Sequence, residues 1–224
     1  MLGLAAVVFA LATPSTMLVP QVAPNQVLQF QTRRRITGPF DHTIVSNTTV
    51  RILPQPIDSQ PNLRFSVDAV TEGHKTTREF RENTDTLTLL SGDGPVTEGI
   101  APLGYTAQMF GTPPAVLSVG AKWSGAVVQS TFGDRGTVQV VVTSVDEKSR
   151  RCVLDVSFAG SWSQMGQVET QMVSGTIRRR SHGAVTIQNG IITEMRLKGE
   201  ERQTYPGGAP SDSFFDLTRV LVSK

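Results

Sequence analysis

Apolar side chains recur along this chain mainly at every second position, which puts them on one face of a pleated strand, whereas a helix would need spacings of three and four. Leu28, Phe30 and Thr32 alternate with Gln29, Gln31 and Arg33, and Leu63, Phe65, Val67 and Ala69 alternate with Arg64, Ser66 and Asp68. Each stretch predicts a strand with one buried and one wet face. Val138 to Val145 and Cys152 to Ala159 are rich in β-branched residues and are joined by the polar run Asp146-Glu147-Lys148-Ser149-Arg150. A connector of that length predicts an antiparallel pair.

The sharpest local signal is Asn189-Gly190, flanked by Ala184-Val185-Thr186-Ile187 and by Ile191 to Leu197. Both central positions of a type I′ turn need positive φ, which Asn and Gly tolerate, so a two-residue hairpin is predicted. Beyond it Ile191, Thr193, Met195 and Leu197 face one way, and Glu194, Arg196 and Lys198 the other. Ser181-His182-Gly183 reads as a break between this hairpin and a strand over Val173 to Arg180, which makes a three-strand meander, and Phe214 to Val222 reads as a closing strand. His74 to Asn83 is the one candidate for a short helix. Ser91 to Val116 is punctuated by Gly92, Gly94, Pro95, Gly99, Pro102, Gly104, Gly111, Pro113 and Pro114, which break any ladder and predict a long irregular connection. It divides a strand set over 26–90 from another over 117–224, either as a boundary or as a meander packed over one sheet edge.

Composition agrees with a loop-rich β protein. Of 224 residues, 38% are hydrophobic and 18% charged, with 20 Gly and 13 Pro, which excludes a coiled coil, a membrane bundle or a disordered tail. A formal charge of +2 implies neither a nucleic-acid nor an anionic-membrane partner. The apolar run Leu2 to Leu11 is followed by Ala10-Leu11-Ala12, the small-x-small form that signal peptidases cut, although no Lys or Arg precedes it. Residues 1–21 are therefore expected to be a signal peptide or disordered leader, and 22–224 one β domain exported to the periplasm or the extracellular space. No later run approaches the ~20 apolar residues of a membrane-spanning helix.

Little in the chain points to chemistry. Cys152 is the single cysteine, so no internal disulfide forms, and its strand setting reads as buried apolar filler. His42, His74 and His182 lie far apart and outside metal-ligand spacing of one another. No nucleophile elbow, phosphate-cradling loop or zinc-protease helix occurs, so neither a catalyst nor a cofactor is implied. Asp68, Glu72, Asp155 and Glu169 could form a carboxylate pair only through the fold. In Arg33-Arg34-Arg35 and Arg178-Arg179-Arg180 a strand would turn the outer two arginines to one face and the middle one to the other, and solvated strand faces are expected rather than a polyanion site. Asn47-Thr48-Thr49 is a glycosylation sequon if the host has a secretory pathway. Trp123 is expected in the core, with its indole N–H needing a partner.

A leader, a strand-rich half, a Pro/Gly segment, the Val-Gly-x-x-Trp element at Val119 to Trp123 and a final meander through Gly190 resemble exported bacterial β-sheet proteins. More distantly they resemble the periplasmic half-barrel carriers of lipoproteins and lipids. The resemblance covers about half the chain and implies an all-β fold, a large curved antiparallel sheet in the form of a half-barrel or open barrel, with little helix. Those carriers close the sheet's mouth with helices that this sequence scarcely provides, and none of their functional residues can be matched. The resemblance implies a non-catalytic binding or carrier shell for a lipid-like or other apolar molecule; in a sheet that curls around itself Leu28, Phe30, Leu63, Phe65, Val67, Trp123, Met195 and Leu197 face inward, either as a filled core or as the wall of an apolar cavity. The alternative is an envelope structural or protein-interaction module using sheet edges or the 91–116 segment, and an enzyme without a recognisable motif comes third.

Overall fold

The computed structural model describes residues 16–39, 41–54, 63–83, 85–92, 103–128, 135–168 and 171–223. The apolar run Leu2 to Leu11 and Glu169 lie outside them. The strands are β1 (Val27–Thr37), β2 (His42–Ile52), β3 (Leu63–Thr71), β4 (His74–Glu82), β5 (Leu87–Ser91), β6 (Lys122–Val128), β7 (Arg135–Asp146), β8 (Arg151–Val168), β9 (Gln171–Gln188), β10 (Ile191–Thr204) and β11 (Ser211–Ser223). They form one antiparallel sheet of 11 strands in the order β5-β4-β3-β2-β1-β11-β10-β9-β8-β7-β6, curved and not closed into a barrel.

This order explains the Pro/Gly-rich connection. The chain runs outward from β1 to one edge at β5, restarts at the opposite edge with β6, and returns to lay β11 beside β1. The link from β5 to β6 must pass from edge to edge. Its described part crosses the inner face, where Leu103, Tyr105, Phe110 and Leu117 are buried and the single turn α1 (Ala107–Phe110) packs on β6.

Two apolar clusters fill that face. One joins Leu28, Phe30, Val50, Ile52, Phe65, Val67, Phe80, Leu103 and Ile191. The other joins Val138, Val140, Val142, Leu154, Val156, Val185, Ile187, Ile192 and Met195 to Tyr105 and Phe110. Burial of this kind stabilises by about 25 cal/mol per Å² of apolar surface and supplies the main driving force of the fold. Residues 16–21, which the sequence assigns to the leader, lie against the sheet: Thr16–Leu18 forms a 3-10 turn that buries Met17 and Leu18 in the second cluster, and Arg150 donates to the Thr16 carbonyl.

The Asn189-Gly190 hairpin forms with positive φ at both residues, 53° and 76°. Three sequence expectations are corrected. His74 to Asn83 contains a strand, not a helix: β4 buries Arg78, Phe80 and Glu82, an i, i+2, i+4 pattern on one pleated face, and pairs with β3 and β5. Ser181-His182-Gly183 does not interrupt the chain, because β9 runs unbroken for 18 residues beside β8. Gly183 marks a close approach there, since a Cβ would fall 1.9 Å from the Arg196 carbonyl oxygen of β10. The alternation Ile191-Thr193-Met195 is broken by an irregularity between Ile192 and Glu194, so Ile191 and Ile192 are both buried, one in each cluster.

Candidate functional site

The eight residues expected to face inward all belong to the inner-face clusters. Leu28, Phe30, Phe65 and Val67 are buried in the first, with Leu63 partly buried against them. Met195 is buried in the second, against which Trp123 and Leu197 pack partly buried. Trp123 finds the partners its indole requires, donating to the Phe110 carbonyl at 2.8 Å and to the Tyr105 hydroxyl at 3.1 Å. Tyr105 in turn donates to the Phe110 and Gly111 carbonyls, and burial pushes its pKa up. Cys152 is buried, and desolvation pushes its thiol up to about 11, so it is inert filler.

Two charged clusters also lie on the inner face. Glu82, only 2% exposed, accepts from the backbone N–H groups of Leu103 at 2.6 Å and Gly104 at 2.7 Å. Burial raises its pKa to about 7, outweighing both hydrogen bonds and the nearby Arg219. Arg219 packs over the Phe30 ring at 4.0 Å, and burial lowers its pKa to about 10, which leaves it charged at neutral pH. Glu82 thereby ties the crossing segment to the sheet. Farther along, the middle members of the arginine triplets converge: Arg34 and Arg179 lie over the Phe215 ring at 5.3 and 5.4 Å, and Glu201 accepts from Arg179 at 2.6 and 3.0 Å. Burial, and then Arg179, lower the pKa of Arg34. Burial of Glu201 is outweighed by its attraction to Arg179, which holds the carboxyl below its ordinary range.

The outer face carries a groove of about 700 Å³, bounded by Thr137, Gln139, Ser157, Ala159, Arg180, His182, Lys198, Glu200, Phe214, Asp216 and Thr37. Strand register explains why these residues meet. Gln139, Ser157, His182, Lys198 and Asp216 are opposed strand by strand in one row, and Thr137, Ala159, Arg180, Glu200, Phe214 and Thr37 form the next row. The first row crosses five strands and the second six, so the longer row spans five inter-strand steps of ~4.8 Å, about 24 Å. Ser157 and Ala159 on β8 are short and stand beside the longer Arg180, Lys198, Glu200 and Phe214 of β9 to β11. Lys198 lies 3.7 Å from Asp216 and Arg180 lies 4.0 Å from Glu200, all four side chains more than half exposed, so these pairs are loose and solvated. Phe214 is 56% exposed, with its ring on the outer face.

None of the eight inward residues bounds the groove. The sequence offered only the outward phase of each strand; the register that aligns six separate strands is a tertiary fact. The other polar residues singled out do not come together. His42, His74 and His182 lie on β2, β4 and β9, and Asp68 on β3 is separated from Asp155 on β8 by five intervening strands. Glu72 is in the β3–β4 turn, and Asn47 is exposed on β2. Among the described residues, no cluster of three His, Cys, Asp or Glu is placed to hold a metal ion, and no helix is long and apolar enough to cross a membrane. Comparison with protein-family models, with curated proteins and with solved structures gave no match for this chain.

Proposed function

We propose that the protein is an exported binding module that takes an extended polar ligand in the groove across β7 to β11 and β1. The observation that carries this reading is the position of the groove: it lies on the polar outer face, and the inner-face residues pack in the two apolar clusters. Volumes of about 300–1,000 Å³ are those of small-ligand sites. The groove's two carboxylates each face a cation, an arrangement suited to orienting a ligand. Export is supported by the apolar run before Ala10-Leu11-Ala12, and cleavage after Ala12 would leave the core residues Met17 and Leu18 in place.

The apolar-carrier reading places its ligand on the inner face, in space now held by Leu18, Leu103, Tyr105 and Phe110. Native mass spectrometry of the mature protein purified from its own host separates the two. The groove reading expects a co-purifying polar species that is lost when Ser157→Trp fills the groove floor. A solvent-extractable lipid-like mass, or a polar species that Ser157→Trp retains, would overturn it.

A further inference from the structure

We infer that the ligand of this groove is an uncharged glycan chain, with Phe214 as its stacking platform; the inference rests on the groove reading above and specifies the ligand. Charge is the first argument. The groove holds two cations, Arg180 and Lys198, and two carboxylates, Glu200 and Asp216, set cation beside anion across neighbouring strands. The lining itself therefore carries no excess of either sign to hold a polyanion, and Arg33, Arg35 and Arg178, the other outward members of the arginine triplets, do not bound the groove. A charged ligand would be repelled by one half of the set for every contact made with the other.

Hydrogen-bonding capacity is the second argument. The carboxylates only accept and the guanidinium and ammonium groups only donate. Sugar hydroxyls do both, so a chain of them can satisfy alternating donors and acceptors at the strand spacing without leaving a charge unpaired. The third argument is the floor. Its strands are already paired to neighbours on both sides, so an extended peptide cannot be held by adding a strand here, and recognition falls to side chains. An exposed aromatic ring near one end of such a row offers the apolar face of a sugar a flat surface that excludes water.

Affinity electrophoresis through gels containing soluble neutral polysaccharides (amylose, hydroxyethyl cellulose, xylan, glucomannan, glycol chitin) tests this, with heparin and polygalacturonate as charged controls. Retardation by at least one neutral polymer is expected. It should persist at high salt, weaken about tenfold in Phe214→Ala, equivalent to about 1.4 kcal/mol, and vanish in Ser157→Trp. Because Phe214 and Ser157 are exposed, both variants should melt like the parent. Failure to bind any neutral polymer, or salt-sensitive retardation by the polyanions alone, would overturn the glycan assignment. A polypeptide that co-purifies and is lost in Ser157→Trp would overturn the glycan and leave the groove standing. Neutral-polymer retardation undiminished in Ser157→Trp would remove the groove itself.

Discussion

Replacing Glu82 by Gln isolates the one buried carboxyl that ties the crossing segment to the sheet. Folding raises its pKa from an ordinary 4.5 to about 7, so the folded chain holds this proton more tightly than the unfolded chain. The sign follows: the contribution to stability is fully present below pH ~4.5, is lost as pH rises toward 7, and is flat above that. At about 1.4 kcal/mol for each tenfold in proton affinity, the change is about 3 kcal/mol. Glu82→Gln removes this dependence. It also sets an amide N–H₂ against one of the two backbone donors, at Leu103 or Gly104, leaving a buried N–H unsatisfied at a cost of ~1–3 kcal/mol. The variant should therefore be clearly less stable than the parent at pH 5, and the deficit should shrink by about 3 kcal/mol at pH 8. For a chain of this length, at ~2–4 °C per kcal/mol, the melting temperatures should converge by roughly 6–12 °C. Calorimetric melts of both proteins between pH 5 and 8 measure it, and curves that stay parallel would refute the buried-carboxyl account.

Two glycines with nearly equal φ separate strain from crowding. Gly73→Ala, with open space around its Cβ, should cost about 1 kcal/mol, whereas Gly190→Ala, whose Cβ would fall 2.2 Å from Val19 backbone atoms, should cost several times as much in urea melts. Trp123→Phe removes the donor to the Phe110 carbonyl and should lower stability by about 1 kcal/mol, read from the urea midpoint, with unchanged far-ultraviolet circular dichroism. Cys152 should resist thiol reagents in the folded protein at pH 8 and react at once in denaturant; rapid labelling of the native state would contradict its burial.

Much of the sheet was legible because burial on one face forces period two, as in Leu28-Phe30-Thr32 of β1 and Phe65-Val67 of β3, and because Asn189-Gly190 favours a single turn type. Strand β4 reads as a helix in the sequence for a physical reason. Its inward residues include Arg78 and Glu82, charged groups that suggest a solvated helix flank until the buried surroundings are known. Gly183 looked like a turn because sequence cannot distinguish a glycine that bends the chain from one that admits a neighbouring strand. The arginine triplets alternate as expected, yet the sequence could not show that Arg34 and Arg179 would meet over Phe215. The groove was invisible for the same reason: each of its residues is an ordinary outward side chain, and only the pairing of six strands lines them up.

A backbone and methyl chemical-shift map, recorded on isotope-labelled protein during titration with the polar fraction of a host envelope extract, tests the location of binding most directly. The account predicts shifts concentrated in the two outer rows, at Ser157, Ala159, Arg180, His182, Lys198, Glu200 and Phe214, with the inner-face signals of Leu28, Val67, Leu154 and Met195 unmoved. Shifts centred on those inner residues, and absent from the outer rows, would contradict it and return the ligand to the interior of the sheet.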